Sequence, residues 1–199
     1  MTASLVCVVE EPSAAEMLQA VLPRLLPPGW KSCFVVFEGK RDLEKNIEKR
    51  LRGWRDPNAC FLVMRDQDAD DCRKIKKNLM LKATRSGKGK RTIVRIACHE
   101  LETFYLGDLQ AVEKGLNIPG LSKLQSRRAY RTPDRLSAAA HELGRLANRH
   151  RQNYQKVQGS RLIAPFLRVD GSNASRSFIA LIAGIGKILK TGSTGASSI

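Results

Sequence analysis

Acid is scarce beside base in this sequence: 19 Asp and Glu stand against 35 Lys and Arg, for a formal net charge of +16. An imbalance of that size disfavours a small neutral substrate and favours an acidic polymer or an anionic surface as partner. Aromatic residues are also few, at 6%, which argues against extended base-stacking platforms. The cysteines Cys7, Cys33, Cys60, Cys72 and Cys98 are odd in number and show no CxxC or Cys/His spacing. Neither a disulfide framework nor a zinc site is expected from them. Long apolar runs are missing as well. The longest, Phe178 to Leu189, is interrupted by Gly184, Gly186 and Lys187, and the first residues lack the basic start and apolar run of a signal peptide. A cytoplasmic chain with no membrane partner is the expectation. There is no GxxxxGK[ST] phosphate loop and no internal repeat, so any ATPase would be a separate partner.

What is present suits a folded α/β protein. The 199 residues, 42% of them apolar, are enough for one domain with elaborations. The scarce acids are concentrated: residues 1–102 carry a net charge of +6 and residues 103–199 a net charge of +10. Ser4 to Val9 is a short apolar run of the kind a buried parallel strand shows, and Ser13 to Leu26 follows at helical spacing, stopped by Pro27-Pro28-Gly29. Ser13 is the candidate helix cap. Ser32 to Phe37 reads as a second strand, Arg41 to Leu51 as a charged helix, and Cys60 to Met64 as a third strand. A basic helix from Asp70 to Thr84, a Gly/Lys loop and a fourth strand, Thr92 to Ile96, complete the alternation. Strands separated by helices imply a parallel sheet flanked by helices. Beyond it the pattern predicts helices over His99 to Leu106, Pro133 to His150 and Ser175 to Lys190. The division expected is an α/β core at 1–110, a basic helical C-terminal elaboration packed on it at 111–190, and a flexible tail at 191–199.

The acids fall where an open parallel sheet binds ligands, outside the carboxyl ends of its strands. Glu10 and Glu11 follow the first strand; Asp66, Asp68, Asp70 and Asp71 follow the third. Alternation in an extended segment would point Asp66 and Asp68 the same way, presenting two carboxylates to one cation. Clustered carboxylates repel unless something positive sits among them, and Mg²⁺, with Mn²⁺ as substitute, prefers such oxygen ligands together with substrate phosphate. Glu10, Asp66 and Asp68 are therefore the candidate catalytic and metal-ligating residues, with Glu100 or Glu102 singly completing a second metal position. Asp70 and Asp71 are read as helix-capping residues.

These residues resemble a known family. A strand followed by Glu10, then a helix, then an apolar strand ending in Asp66-x-Asp68, is similar to the Toprim fold of topoisomerases, primases and overcoming-lysogenization-defect nucleases. Val9-Glu10-Glu11-Pro12-Ser13, Leu22-Pro23-Arg24-Leu25-Leu26-Pro27, Arg65-Asp66-Gln67-Asp68-Ala69-Asp70 and His99 to Asp108 resemble small bacterial Toprim-like proteins. The resemblance implies a Toprim-like Rossmannoid core, Glu10 as general acid or base, and Asp66 and Asp68 as metal ligands. It also implies a separate ABC- or AAA-type ATPase encoded alongside in phage-defence operons. Glu11 departs from the Gly common at that place, and it either crowds the site or adds a ligand.

The basic runs then supply phosphate contacts, ten Lys and Arg between Arg73 and Arg95 and ten more between Lys123 and Arg161. Lys156 and Arg161, in their Gly/Ser setting, and Lys88, Lys90 and Arg91 of the Gly/Lys loop are the candidate nucleic-acid contacts. The expected activity is Mg²⁺-dependent cleavage of DNA or of RNA such as tRNA, with water attacking in line. Two other readings fit less of the sequence: a non-catalytic Toprim-fold scaffold of an ATPase complex, and a receiver-like phosphoacceptor on Asp66, which would need a further α/β unit and a Lys at a later strand end.

Overall fold

The structure, a computed structural model, describes residues 3–194. Four parallel strands, β1 (Ala3–Val9), β2 (Trp30–Val36), β3 (Cys60–Asp66) and β4 (Thr92–Ala97), form one sheet in the order β2-β1-β3-β4. β3 is buried along its whole length. The α/β parallel-sheet class expected from the alternation is therefore the observed one.

Right-handed crossovers dictate the layers. The chain moves outward from β1 to β2 through α1 (Pro12–Val21), then back over β1 to β3 through α2 (Lys40–Arg52), and on to β4 through α3 (Cys72–Arg85). Two moves in opposite directions with one hand put α1 on one face and α2 and α3 on the other. Strand parity fills both faces. Leu5, Cys7, Val9, Cys60, Leu62 and Met64 join the α1 core, whereas Val6, Val8, Phe61 and Val63 join Leu43, Ile47, Ile75 and Leu79 of α2 and α3.

The α1 face carries everything that follows. After β4 come α4 (Glu102–Leu106), α5 (Leu109–Leu116), α6 (Arg128–Arg131), α7 (Ala139–Arg149), α8 (Lys156–Ile163) and α9 (Arg176–Thr194). Phe104, Val112, Leu143, Ile163, Phe178 and Ile185 share one apolar cluster with β1, β3 and α1. None of the described helices is long and apolar enough to cross a membrane.

Several boundaries differ from expectation for local reasons. Ser13 does not cap α1: Glu11 is the N-cap residue and the Ser13 hydroxyl donates to its carboxylate. His99 lies at φ 59°, in the left-handed region, so α4 begins only at Glu102. The helix expected from Pro133 is interrupted because Asp134 turns away to α9, where its carboxylate accepts from the Ser175 hydroxyl at 2.6 Å and the Ser177 amide at 2.8 Å. α9 runs on to Thr194, so residues 191–194 continue a helix where a tail was expected, and residues 195–199 lie outside those described.

Candidate active site at the carboxyl ends of β1 and β3

β1 and β3 are adjacent, and the chain leaves their ends toward opposite faces, α1 after β1 and α3 after β3. That divergence opens the crevice in which doubly wound sheets bind ligands. The tail of β1 is held in place past the strand end. Phe37 N donates to Val9 O at 3.0 Å and Gly39 N to Glu10 O at 3.1 Å. Gly39 sits at φ 92°, a conformation that favours glycine, which lets the turn into α2 close over Glu10.

Strand parity divides the acids at this crevice into two groups. Val9, Met64 and their successors in phase, Glu11 and Asp66, look toward α1, α4 and α8. Val8, Val63 and their successors Glu10 and Arg65 look toward α2. Glu10 and Asp66 remain neighbours across the backbone, since the Asp66 amide donates to Glu10 Oε2 at 3.2 Å.

On the α2 side the Arg65 side chain, 1% exposed, is the hub. Its guanidinium lies 2.5 Å from Glu44, 3.3 Å from Asp70 and 3.6 Å from both Glu10 and Asp68, and its Nε donates to Asp66 O at 2.8 Å. Lys40 Nζ adds contacts of 2.8 Å to Asp68 and 3.7 Å to Asp70. Burial raises the Glu10 carboxyl above its ordinary value, against the pull of Arg65 and with a push from Asp68.

On the α1 side three carboxylates meet a single ammonium. Glu102, the first residue of α4, is fully buried; Tyr154 donates to its Oε1 at 2.8 Å, while its Oε2 has no partner among the described residues. Burial pushes the Glu102 carboxyl up, against Lys156 and Tyr154. Asp66, 8% exposed, is raised well above the carboxylate range by burial and then by the Glu11 and Glu102 charges, more than the Leu101 amide and Lys156 pull it down. Lys156 Nζ lies 3.8 Å from Glu11 Oε2. Burial pulls its ammonium down, yet Glu102, Glu11, Asp66 and Glu100 together carry it above the ordinary lysine value. Gly159, one turn along α8, makes room for the Tyr154 ring, which a methyl group there would overlap.

The expected residues thus distribute unevenly. Glu10, Asp66, Glu102 and Lys156 gather at the crevice. Asp68 does not point with Asp66: at φ 56° it breaks the extended alternation, and its carboxylate turns to Lys40. Of the two glutamates, Glu102 is the one buried at the crevice, whereas Glu100 Oε2 accepts the Ala140 amide at 2.8 Å at the start of α7. Asp71 caps α3 as expected, accepting from the Arg73 and Lys74 amides. Arg161 faces Glu16 of α1 at 2.6 Å. Lys88, Lys90 and Arg91 precede β4 and so lie at the amino end of the sheet, a strand's length from the carboxylates, about 20 Å for six residues. Sequence reasoning missed Arg65, Lys40 and Tyr154 and left the role of Glu11 open. Counting by twos from Met64 and from Val9 would have placed Glu11 with Asp66 and Arg65 with Glu10.

Among the described residues no group of three or more His, Cys, Asp or Glu side chains is already arranged to hold a metal ion. The donor chemistry nonetheless suits a hard cation: Asp66 and Glu102 are buried, the charges of Glu11 and Glu102 push the Asp66 carboxyl up, and one Glu102 oxygen lacks a partner among the described residues. The family described as Domain of unknown function (DUF4276) matches residues 9–185, from the end of β1 into α9. No curated protein and no solved structure matches.

Proposed function

We propose, for a chain that belongs to the DUF4276 family, the hydrolysis of phosphodiester bonds in nucleic acid at the carboxyl ends of β1 and β3. The observation that carries this reading is Glu102 Oε2, without a partner among the described residues and buried near Asp66 where a doubly wound sheet takes its ligand. Asp66 and Glu102 would hold Mg²⁺ or Mn²⁺, joined by Glu11, whose side chain is 29% exposed and has room to turn. Once bound, such an ion offsets the carboxylate repulsion and withdraws charge from phosphate oxygens.

The chain's own groups supply the rest. Lys156, kept protonated by its acidic neighbours and 43% exposed, faces the crevice with a fixed positive charge for a phosphate oxygen. Glu10, its carboxyl raised by burial and held by the Asp66 amide and Arg65, would take a proton from an attacking water. Asp68, bound to Lys40 and 40% exposed, borders the crevice on the α2 side. The Toprim resemblance supports the same roles for Glu10 and Asp66, and it supports a nuclease subunit that acts in anti-phage defence with a separate ABC- or AAA-type ATPase.

One observation favours a second reading, a non-catalytic nucleic-acid-binding scaffold: Arg65 and Lys40 already answer the charges of Glu10, Glu44, Asp68 and Asp70 from within. Cleavage of plasmid DNA and total tRNA with Mg²⁺, Mn²⁺ or EDTA separates the two. Metal-dependent cleavage lost in Asp66→Ala, Glu102→Gln and Glu10→Gln supports the hydrolase. Cleavage that survives all three sinks the site, and absence of both cleavage and Mn²⁺ binding leaves the scaffold.

A further inference from the structure

The segment from Cys72 to His99 contains ten Lys and Arg and no Asp or Glu. Six of those cations, Arg73, Lys74, Lys76, Lys77, Lys82 and Arg85, belong to α3. Ile75, Leu79 and Ala83 turn its apolar stripe onto the sheet, so the remaining positions look outward, and Arg73, Lys74, Lys76, Lys77 and Arg85 are exposed. Among the described residues the ion pairs engage none of these six, whereas α2 pairs Lys40 with Asp68 and Arg52 with Glu48. Two costs follow. Arg73 repels Lys76 and Lys77 one turn away, and Arg73 and Lys74 occupy the first turn, where the helix dipole favours anions. Asp71 offsets only part of this through its cap. A cationic face kept at such a cost is one that a polyanion would neutralise.

We infer that α3 and the loop after it form a docking face for the backbone of double-stranded nucleic acid. Three features point to that partner. The cations run the length of the element: α3 carries Arg73, Lys74, Lys76 and Lys77 in its first two turns, next to Asp70 and Asp71 at the carboxyl end of β3, then Lys82 and Arg85 beyond the exposed Leu81, and Lys88, Lys90 and Arg91 follow at the opposite end of the sheet. Its 14 residues span about 21 Å, or about six base pairs at 3.4 Å each. The segment holds no Phe, Tyr or Trp, so it offers phosphate contacts without stacking surfaces for splayed single strands. The inference deepens the proposed function by naming a polymeric duplex as the substrate, and it assigns the distal loop cations to holding the duplex away from the point of cleavage.

Binding measured without cleavage keeps the two proposals apart. The full chain in EDTA is titrated by fluorescence anisotropy against labelled duplex DNA, duplex RNA and single-stranded DNA of about 30 residues, a duplex of about 8 base pairs, and vesicles containing phosphatidylserine. The variant replaces Arg73, Lys74, Lys76 and Lys77 with Gln, which keeps helix propensity. A control of equal charge loss replaces Lys123, Arg127, Arg128 and Arg131, also exposed, with Gln. The α3 variant should bind the long duplex at least tenfold more weakly at about 0.1 M salt and lose about 3 to 4 units from the slope of log K against log salt. The control should stay within about twofold of wild type. Equal loss in both Gln variants, wild-type binding by the α3 variant, single strands bound as tightly as duplex, or binding to vesicles alone would overturn the inference. Duplex binding that survives in a chain found not to cleave would uphold it while the hydrolase reading fails.

Discussion

Glu102→Gln tests the site through stability as well as activity. The carboxylate is fully buried, one oxygen accepts from Tyr154, and the other has no partner among the described residues. The amide keeps the shape and the Tyr154 acceptor, removes a charge that raises the Asp66 carboxyl, and adds a donor next to the acidic cluster. Leaving a buried polar atom unsatisfied costs about 1–3 kcal/mol. The variant should therefore be more stable than wild type by about that much in metal-free buffer near pH 8. For a chain of this size that is a rise in Tm of about 2–4 °C per kcal/mol. The pH dependence has a definite sign. Burial raises the folded-state Glu102 carboxyl above its unfolded value, so the native state holds the proton longer and loses stability as pH rises between the two. The variant has no such group. Its advantage should be small below the ordinary carboxylate range, grow through that interval and then level off. Added Mn²⁺ should raise the Tm of wild type and leave the variant almost unmoved. Differential scanning fluorimetry from pH 4 to pH 8.5, with and without Mn²⁺, reads all of this. A variant less stable than wild type at pH 8 without metal, or a difference that ignores pH, would refute the argument.

Three further outcomes follow from named contacts. Arg65→Met strips the buried partner from Glu10, Glu44, Asp68 and Asp70 and should cost about 3–5 kcal/mol in urea unfolding; a loss under 1 kcal/mol would mean the carboxylates rehydrate freely. Gly159→Ala should destabilise by about 1–3 kcal/mol because its methyl displaces the Tyr154 ring. In a Tyr154→Ala background the same change should become neutral or stabilising, a reversal that a double-mutant cycle would register. Asp108→Ala removes the N-cap of α5 and the acceptor of the Arg168 amide and guanidinium, at a cost of about 2 kcal/mol by thermal unfolding.

Local patterning already carried the α/β alternation, the four strands to within a few residues, the placement of acids at strand ends, and the basic run over α3. Each of these is written in local period and in where breakers fall. Glu10 and Asp66 were legible as residues of one edge because a parallel sheet puts the carboxyl ends of its strands on the same side, and the adjacency of β1 and β3 makes them neighbours. Which acids face one another depends on packing between distant segments. Asp68 escaped because a single left-handed residue at φ 56° cancels strand parity. Glu102 was separated from Glu100 only by the start of α7, which engages Glu100. Lys156 and Tyr154 come to the crevice because α8 packs on α1 some 140 residues from its place in the chain, as the Arg161 to Glu16 pair, at a separation of 145, records. Long-range packing of that kind leaves no local periodicity to read, and it converted a row of strand-end carboxylates into two groups on opposite faces of β3.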